Sequence, residues 1–269
     1  AARPRCPGQD PCQNPVLREA WRMDWFAAPL HNNPAARARF LWLLRCLLIM
    51  DGLLLAGYVG AVALFWLGVT PRILYMLDIG SDRTLAEWAN YLKWLACLIL
   101  LWRAWRLHRT PVLLACLPVF LGILIDDAFQ YHESRGVVYE RLLQLQPHWG
   151  LHASGVGQLI AFGLMGAVCA LILGIGYAAS GAAGRAIGLR FLAVFAALIL
   201  VGVAVDALHE AVGALLPWRY GGLPGIALTL LEEGGELVLA SLAAAFCAGL
   251  AGINPPASAA PLRDQAAKR

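Results

Sequence analysis

A chain of 269 residues that is 60% hydrophobic and 14% charged carries roughly half the charge of an ordinary soluble domain. Its apolar residues gather in runs long enough for a membrane span, which excludes a water-soluble globule and reads as a polytopic helical membrane protein. The net charge of +4 is no sign of nucleic-acid binding, because no soluble basic domain carries it.

The predicted elements begin with a cytoplasmic tail and interfacial segment over residues 1–40. Pro4, Pro7, Pro11 and Pro15 prevent a helix at its start. Residues 16–27 place Val16, Leu17, Trp21, Trp25 and Phe26 toward one side, which predicts a short interfacial helix or a segment packed on a partner subunit. Cys6 and Cys12 are too few for a zinc site without outside ligands. No signal-like apolar run precedes Leu41, so the N-terminus is expected to stay in the cytoplasm.

Six spans are predicted within a transmembrane domain over residues 41–253, at roughly 41–69, 88–107, 111–130, 152–179, 188–212 and 224–250. The third is the weakest on apolarity, since its apolar part stops at Ile125. Between the first two spans, Ser81 or Asp82 is placed to cap the second, with Glu87 in its first turn favoured by the helix dipole. In residues 131–150, Val137, Val138, Leu142, Leu143 and Leu145 predict a short amphipathic helix stopped at Pro147. The fourth span carries Gly155, Gly157, Gly163, Gly166, Gly174 and Gly176, and this density of small residues predicts a central position in the bundle. Residues 254–269 read as a disordered cytoplasmic tail. The fold class is therefore all-α, a bundle of six transmembrane helices plus a short N-terminal interfacial helix. Cys46, Cys97, Cys116, Cys169 and Cys247 fall in spans and read as packing residues.

Drawn with the N-terminus inside, this topology leaves fifteen of the 21 Lys and Arg residues on the cytoplasmic side, as the positive-inside rule asks. It implies a bacterial inner membrane with both termini cytoplasmic, and a basic face that attracts anionic lipid. Twelve of the 17 acids and four of the six histidines then fall on the outer side. Asp51 stands apart, nearer the cytoplasmic side, where Arg45 or Arg103 is the expected partner and a proton relay the alternative.

The outer acids and histidines are the chemistry-bearing feature. At the end of the third span Asp126, Gln130 and Glu133 are spaced as one helical stripe, flanked by His132. Asp206, His209 and Glu210 share a face of the fifth span, and Glu232, Glu233 and Glu236 open the sixth. His148 and His152 precede the fourth and share a face only if its helix starts before Trp149. An isolated carboxylate in a membrane costs about 2.5–3.5 kcal/mol, so six would cost on the order of 15–20 kcal/mol before neutralisation by protons, by basic partners such as Lys93, or by a cation. Carboxylate and imidazole together suit iron, manganese or zinc, and Asp-x-x-His resembles the Glu-x-x-His element of di-iron bundles. The candidate ligands are Asp126, His132, Glu133, His152, Asp206, His209, Glu210, Glu232, Glu233 and Glu236, with Glu233 or Glu236 also a candidate general base. No P-loop, GxSxG elbow or HExxH motif occurs.

At His132-Glu133, at Asp206-x-x-His209-Glu210, at Glu232-Glu233-x-x-Glu236 and in the segment DRTLAEW, the chain resembles a loosely defined group of bacterial polytopic membrane proteins. The resemblance covers roughly residues 78–240 and implies an intramembrane site without implying an activity. Three functions fit these observations. One is a metal-dependent enzyme acting on a lipid or other amphiphile. Another is a proton- or ion-coupled transporter component. The third is a non-catalytic accessory subunit, associated with partner subunits or with further copies of itself in the lipid.

Overall fold

The computed structural model describes residues 23–215 and 222–253, and most of them are helical. The short α1 (Met23–Ala27) and a 3-10 turn (Ala28–Leu30) lead into α2 (Pro34–Trp66). Then come α3 (Leu85–His108), α4 (Pro111–Phe129), α5 (Tyr131–Leu143) and α6 (Ala153–Ala178). A helix over Ala182–Ile199, α7, runs through a π-helical stretch (Leu200–Val205) into α8 (Asp206–Leu215), and α9 (Leu223–Ala251) completes the bundle.

The ends of these helices follow local chemistry. Asn33 caps α2 by accepting a hydrogen bond from the Ala36 amide at 3.0 Å, with Pro34 in the first turn. Thr84, not Ser81 or Asp82, occupies the cap position of α3, and Glu87 reaches back to the Arg83 amide. Arg106 and His108 face the negative end of the α3 dipole, and Arg109 ends it in a left-handed conformation.

Among the described residues, five stretches are long and apolar enough to cross a membrane: α2, α4, α6, the continuous helix Ala182–Gly213, and α9. The weakest of the predicted spans, α4, is among them. The predicted second span, α3, is not, although its 24 residues would reach about 36 Å. Glu87, Lys93, Arg103 and Arg106 lower its hydropathy. The predicted interfacial segment lies largely outside the described residues, as do the C-terminal tail, Cys6 and Cys12. Its described part packs on the bundle: Ala27 and Leu30 are buried, and Phe26 meets Phe246 edge-on at 6.1 Å.

The centre of the bundle is α9, with 67% of its apolar window buried, against 11% for the glycine-rich α6. The expectation that α6 is central is therefore corrected. Its Gly163, Gly166 and Gly174 face open space, and only Gly155, Gly157 and Gly176 make close approaches. Close packing falls instead to Ala240, Ala243, Ala244, Ala245 and Gly249 of α9. Helices α2, α3, α7 and the π stretch lie along α9, while α4 joins α3 to α6 and α7. One half of the bundle is filled by an aromatic cluster in which Phe120 lies 5.7 Å from Phe191 and Phe191 lies 5.2 Å from Phe246. That half ends in arginines and is here called the basic end. The opposite half, where α3 and α9 begin and α4 ends, is the acid end.

Two local expectations fail at the acid end for one reason, a left-handed residue. Gln130 has φ 49°, so α4 stops at Phe129 and α5 starts afresh at Tyr131. Asp126, Gln130 and Glu133 therefore do not form one stripe. Gln144, with φ 51°, ends the amphipathic helix before Pro147. Trp149 and Gly150 also have positive φ, and α6 begins only at Ala153 with His152 at its cap. His148 and His152 consequently share no helix face.

Candidate functional site

Three carboxylate–histidine pairs assemble at the acid end, each joining two separate elements. Asp126, at the end of α4, holds His132 of α5 twice: the His132 amide donates at 2.9 Å, and the ring Nδ1 lies 3.0 Å from the other carboxylate oxygen. The ring also stacks on Phe162 of α6 with centroids 4.4 Å apart. Glu210 of α8 receives the His152 amide at 2.8 Å and lies 2.6 Å from its ring Nδ1. His209 of α8 lies 3.1 Å from Glu232 of α9 through Nδ1.

Glycines make these approaches possible. A Cβ at Gly155 would come within 2.2 Å of the Glu210 carboxylate, and one at Gly157 within 2.2 Å of the Gly136 carbonyl oxygen. The second contact is backbone against helix, so it sets how closely α5 lies on α6 and hence where His132 sits.

Outside the spans, two groups of this cluster titrate in shifted ranges. Burial alone would lower His132, but the hydrogen bond and charge of Asp126 outweigh it, so its pKa lies above the ordinary 6.5. Glu133 is raised above 4.5 by the covering of its carboxyl, against the opposing charge of His132. Glu133 stands 4.0 Å from the second ring nitrogen of His132 and is half exposed, at the rim rather than in the cluster.

A second flank lies between α3, α4 and α9. Trp94 donates its indole N–H to Asp127 at 2.7 Å. Tyr91 places its hydroxyl on Glu87 and 3.1 Å from the Asp127 carbonyl. A cavity of about 150 Å³, lined by Asp82, Glu87, Tyr91 and Gln130, opens beside them. Sequence reasoning missed this flank. The signal was present, because Glu87, Tyr91 and Trp94 recur at i, i+4 and i+7 on one face of α3.

Between the flanks stand Asp206, Glu233 and Glu236. None accepts a hydrogen bond from a described residue. Glu236 is within electrostatic reach of Asp126, Asp127, Asp206 and Glu232, and Glu233 of Asp127, Glu232 and Glu236. The Glu236 carboxylate fits against Gly202, where a Cβ would come within 2.2 Å of it. Gly202 lies in the π stretch, a local underwinding of the helix that recurs at functional sites. The structure thus brings Asp126, His132, Asp206, His209, Glu210, Glu232, Glu233 and Glu236 together, with His152 joined through Glu210 and Glu133 at the edge.

The donors suit a transition metal by type but not by arrangement. Among the described residues no group of three or more His, Cys, Asp or Glu is set to hold a metal ion. His132, His152 and His209 each have a single carboxylate within 3.1 Å of the ring.

Toward the basic end from Glu236 lies an ion pair that neither partner's neighbours in sequence foretold. Asp51 of α2 pairs with Lys93 of α3 at 2.7 Å, not with Arg45 or Arg103. Ser241 donates to the other Asp51 oxygen at 2.6 Å, and Lys93 also donates to the Leu237 carbonyl at 3.0 Å.

The model of a family described as a domain of unknown function (DUF8692) matches residues 46–250, a stretch that contains every candidate residue above. The chain belongs to that family. No curated protein and no solved structure matches it.

Proposed function

We propose that this protein is a proton-coupled component of a bacterial inner membrane, with α3 as a sixth crossing and both termini cytoplasmic. Its acid end takes up and releases protons at a carboxylate–imidazole site that opens outward. The observation that carries this reading is the set of three central carboxylates, Asp206, Glu233 and Glu236, with no hydrogen-bond donor among the described residues and further acids beside them. In a membrane such charge has to be neutralised, and protons are the neutralising species that need no third ligand. The paired histidines offer exchange partners at the rim, and the Glu87–Tyr91 cavity offers an approach for water. The aromatic half beyond the ion pair makes the site one-sided, which favours coupling to a conformational change or a partner subunit over a through-going path.

Infrared spectroscopy of the reconstituted protein during pH steps tests this. Protonated carboxyl bands should appear and vanish reversibly, and Glu233→Gln and Glu236→Gln should each delete a part of the signal. An unchanging carboxyl region across the whole accessible pH range would remove the proposal.

A second reading retains the same acids as ligands of a divalent cation. The His209–Glu232 pair, with Asp206 one helical turn from His209, is what favours it. Elemental analysis and calorimetric titration with iron, manganese or zinc separate the two, since a stoichiometric ion lost in Asp206→Asn and His209→Ala would select the cation. In that case the site residues would also be candidates for metal-dependent chemistry on a lipid or other amphiphile.

A further inference from the structure

At the basic end, the outward face of α3 has a layout that the acid site does not explain. Leu95, Ile99 and Trp102 are 45%, 61% and 47% exposed and recur at i, i+4 and i+7, forming an apolar stripe with no partner helix over it. The stripe runs directly into Arg103 and Arg106, both exposed, and then into Arg109 at the helix cap. The aromatic and cationic groups are stacked: Trp102 and Trp105 lie 4.8 Å apart, Arg109 lies over Trp105 at 4.8 Å, and Arg106 over Trp102 at 6.0 Å. The turn is anchored, since His108 reaches the Leu250 carbonyl of α9 at 3.4 Å.

None of the three guanidinium groups has an ion-pair partner among the described residues. The only acid on α3 is Glu87, sixteen residues before Arg103 and about 24 Å away along the helix. Three fixed positive charges therefore stand together where the apolar stripe ends. An amphiphile with a phosphate head and acyl tails has the complementary order. Its tail would follow Leu95 and Ile99, its glycerol region would lie at Trp102, and its phosphate would meet the planar forks of Arg103 and Arg106.

We infer that the C-terminal turns of α3 form a binding site for an anionic phospholipid, with Arg103, Arg106 and Arg109 as the headgroup ligands. The inference rests on α3 lying in the bilayer and is independent of what the acid end does. A zwitterionic lipid presents its own ammonium group to the arginines and is disfavoured. A second copy of this chain would have to bring carboxylates to the same face.

The test is native mass spectrometry of the full chain in detergent, with phosphatidylglycerol and phosphatidylcholine of matched acyl chains. The wild-type protein should retain phosphatidylglycerol preferentially, and the preference should fall as salt is raised. Arg103→Gln and Arg106→Gln should each weaken retention about fivefold, the equivalent of ~1 kcal/mol per charge. Arg135→Gln and Arg141→Gln at the acid end should leave it unchanged. Glycerol 3-phosphate and inorganic phosphate at millimolar concentration should not compete, because they lack the tail. Equal retention of the two lipids by the wild-type protein overturns the inference whether or not the variants fold. So does undiminished retention in the double variant. Competition by free phosphate would make this a site for a soluble anion, and a dimer that shields the arginines would make it a protein interface; either result also overturns it.

Discussion

Two regions of the bundle bury carboxylates in opposite ways. Around Asp51 every charge is answered: its two oxygens receive Lys93 and Ser241 at 2.7 and 2.6 Å, and all three groups are at most 3% exposed. At the acid end the carboxylates outnumber their partners, and Asp206, Glu233 and Glu236 have none among the described residues. A permanently buried charge survives in lipid by a complete set of bonds, because an unanswered one carries the full desolvation penalty. A group left without that set persists by changing its state. The first region has the form of a fixture, whereas the second has the unanswered acids that the proposed proton site requires.

The largest expected effect breaks the fixture. Lys93→Met leaves Asp51 buried and unpaired and should lower stability by about 3–5 kcal/mol. Asp51→Leu in the same chain should recover most of the loss, since removing both partners strands no charge. Detergent-solubilised protein unfolded thermally or in denaturant would show both. A loss under about 1 kcal/mol for Lys93→Met would mean that the pair is not buried as described.

The next effect concerns how the acid end is positioned. Gly157→Ala drives a methyl group against the Gly136 carbonyl, which is backbone and cannot swing aside. A loss of about 1–3 kcal/mol is expected, together with displacement of α5 and of His132 with it. Gly163→Ala on the same helix, where a Cβ meets nothing, should be neutral within about 0.5 kcal/mol. Equal costs at the two positions would refute the α5–α6 docking.

The two regions were not equally legible in the sequence. The acidic cluster could be read because the side chains of Asp206, His209 and Glu210, and of Glu232, Glu233 and Glu236, repeat at helical spacing within their own segments. Helical periodicity is local, so it says which residues share a face. It fails wherever one left-handed residue resets the phase, as at Gln130, which moved His132 and Glu133 onto a new helix. It is also silent about partners from distant segments. Asp51 and Lys93 are 42 residues apart, with nothing in either neighbourhood to select the other. The glycines of α6 misled for a related reason: small residues permit close approach without causing it, and half of them face no neighbour.

A smaller effect comes from pH at the rim. The pKa of His132 lies above its unfolded value of 6.5, so its bond to Asp126 contributes fully below pH 6.5 and is lost as pH rises through the folded value. His132→Gln should cost on the order of 1.5 kcal/mol at pH 5.5 and much less in alkaline buffer, as stability curves at several pH values would show. A gap between variant and wild type that stays constant with pH would mean that folding does not shift the His132 pKa, and would refute the Asp126 effect.

The smallest stability effect is the one that sharpens the contrast most. Glu236 accepts no hydrogen bond from a described residue, so Glu236→Gln strands no partner. It replaces an ionisable carboxyl by a neutral group of nearly the same shape, against the same Gly202 notch. Stability should change by less than about 1 kcal/mol, and in alkaline buffer, where the wild-type acids are forced to ionise, the variant should be the more stable of the two. Proton uptake measured by the infrared carboxyl bands should nevertheless fall. A structural acid gives the reverse pattern: a large loss of stability with uptake unchanged, as expected for substitutions around Asp51. If Glu236→Gln behaves like Lys93→Met, the acid end is a second fixture whose bonds run through groups beyond the described residues, and the titrating reading of this region fails with it.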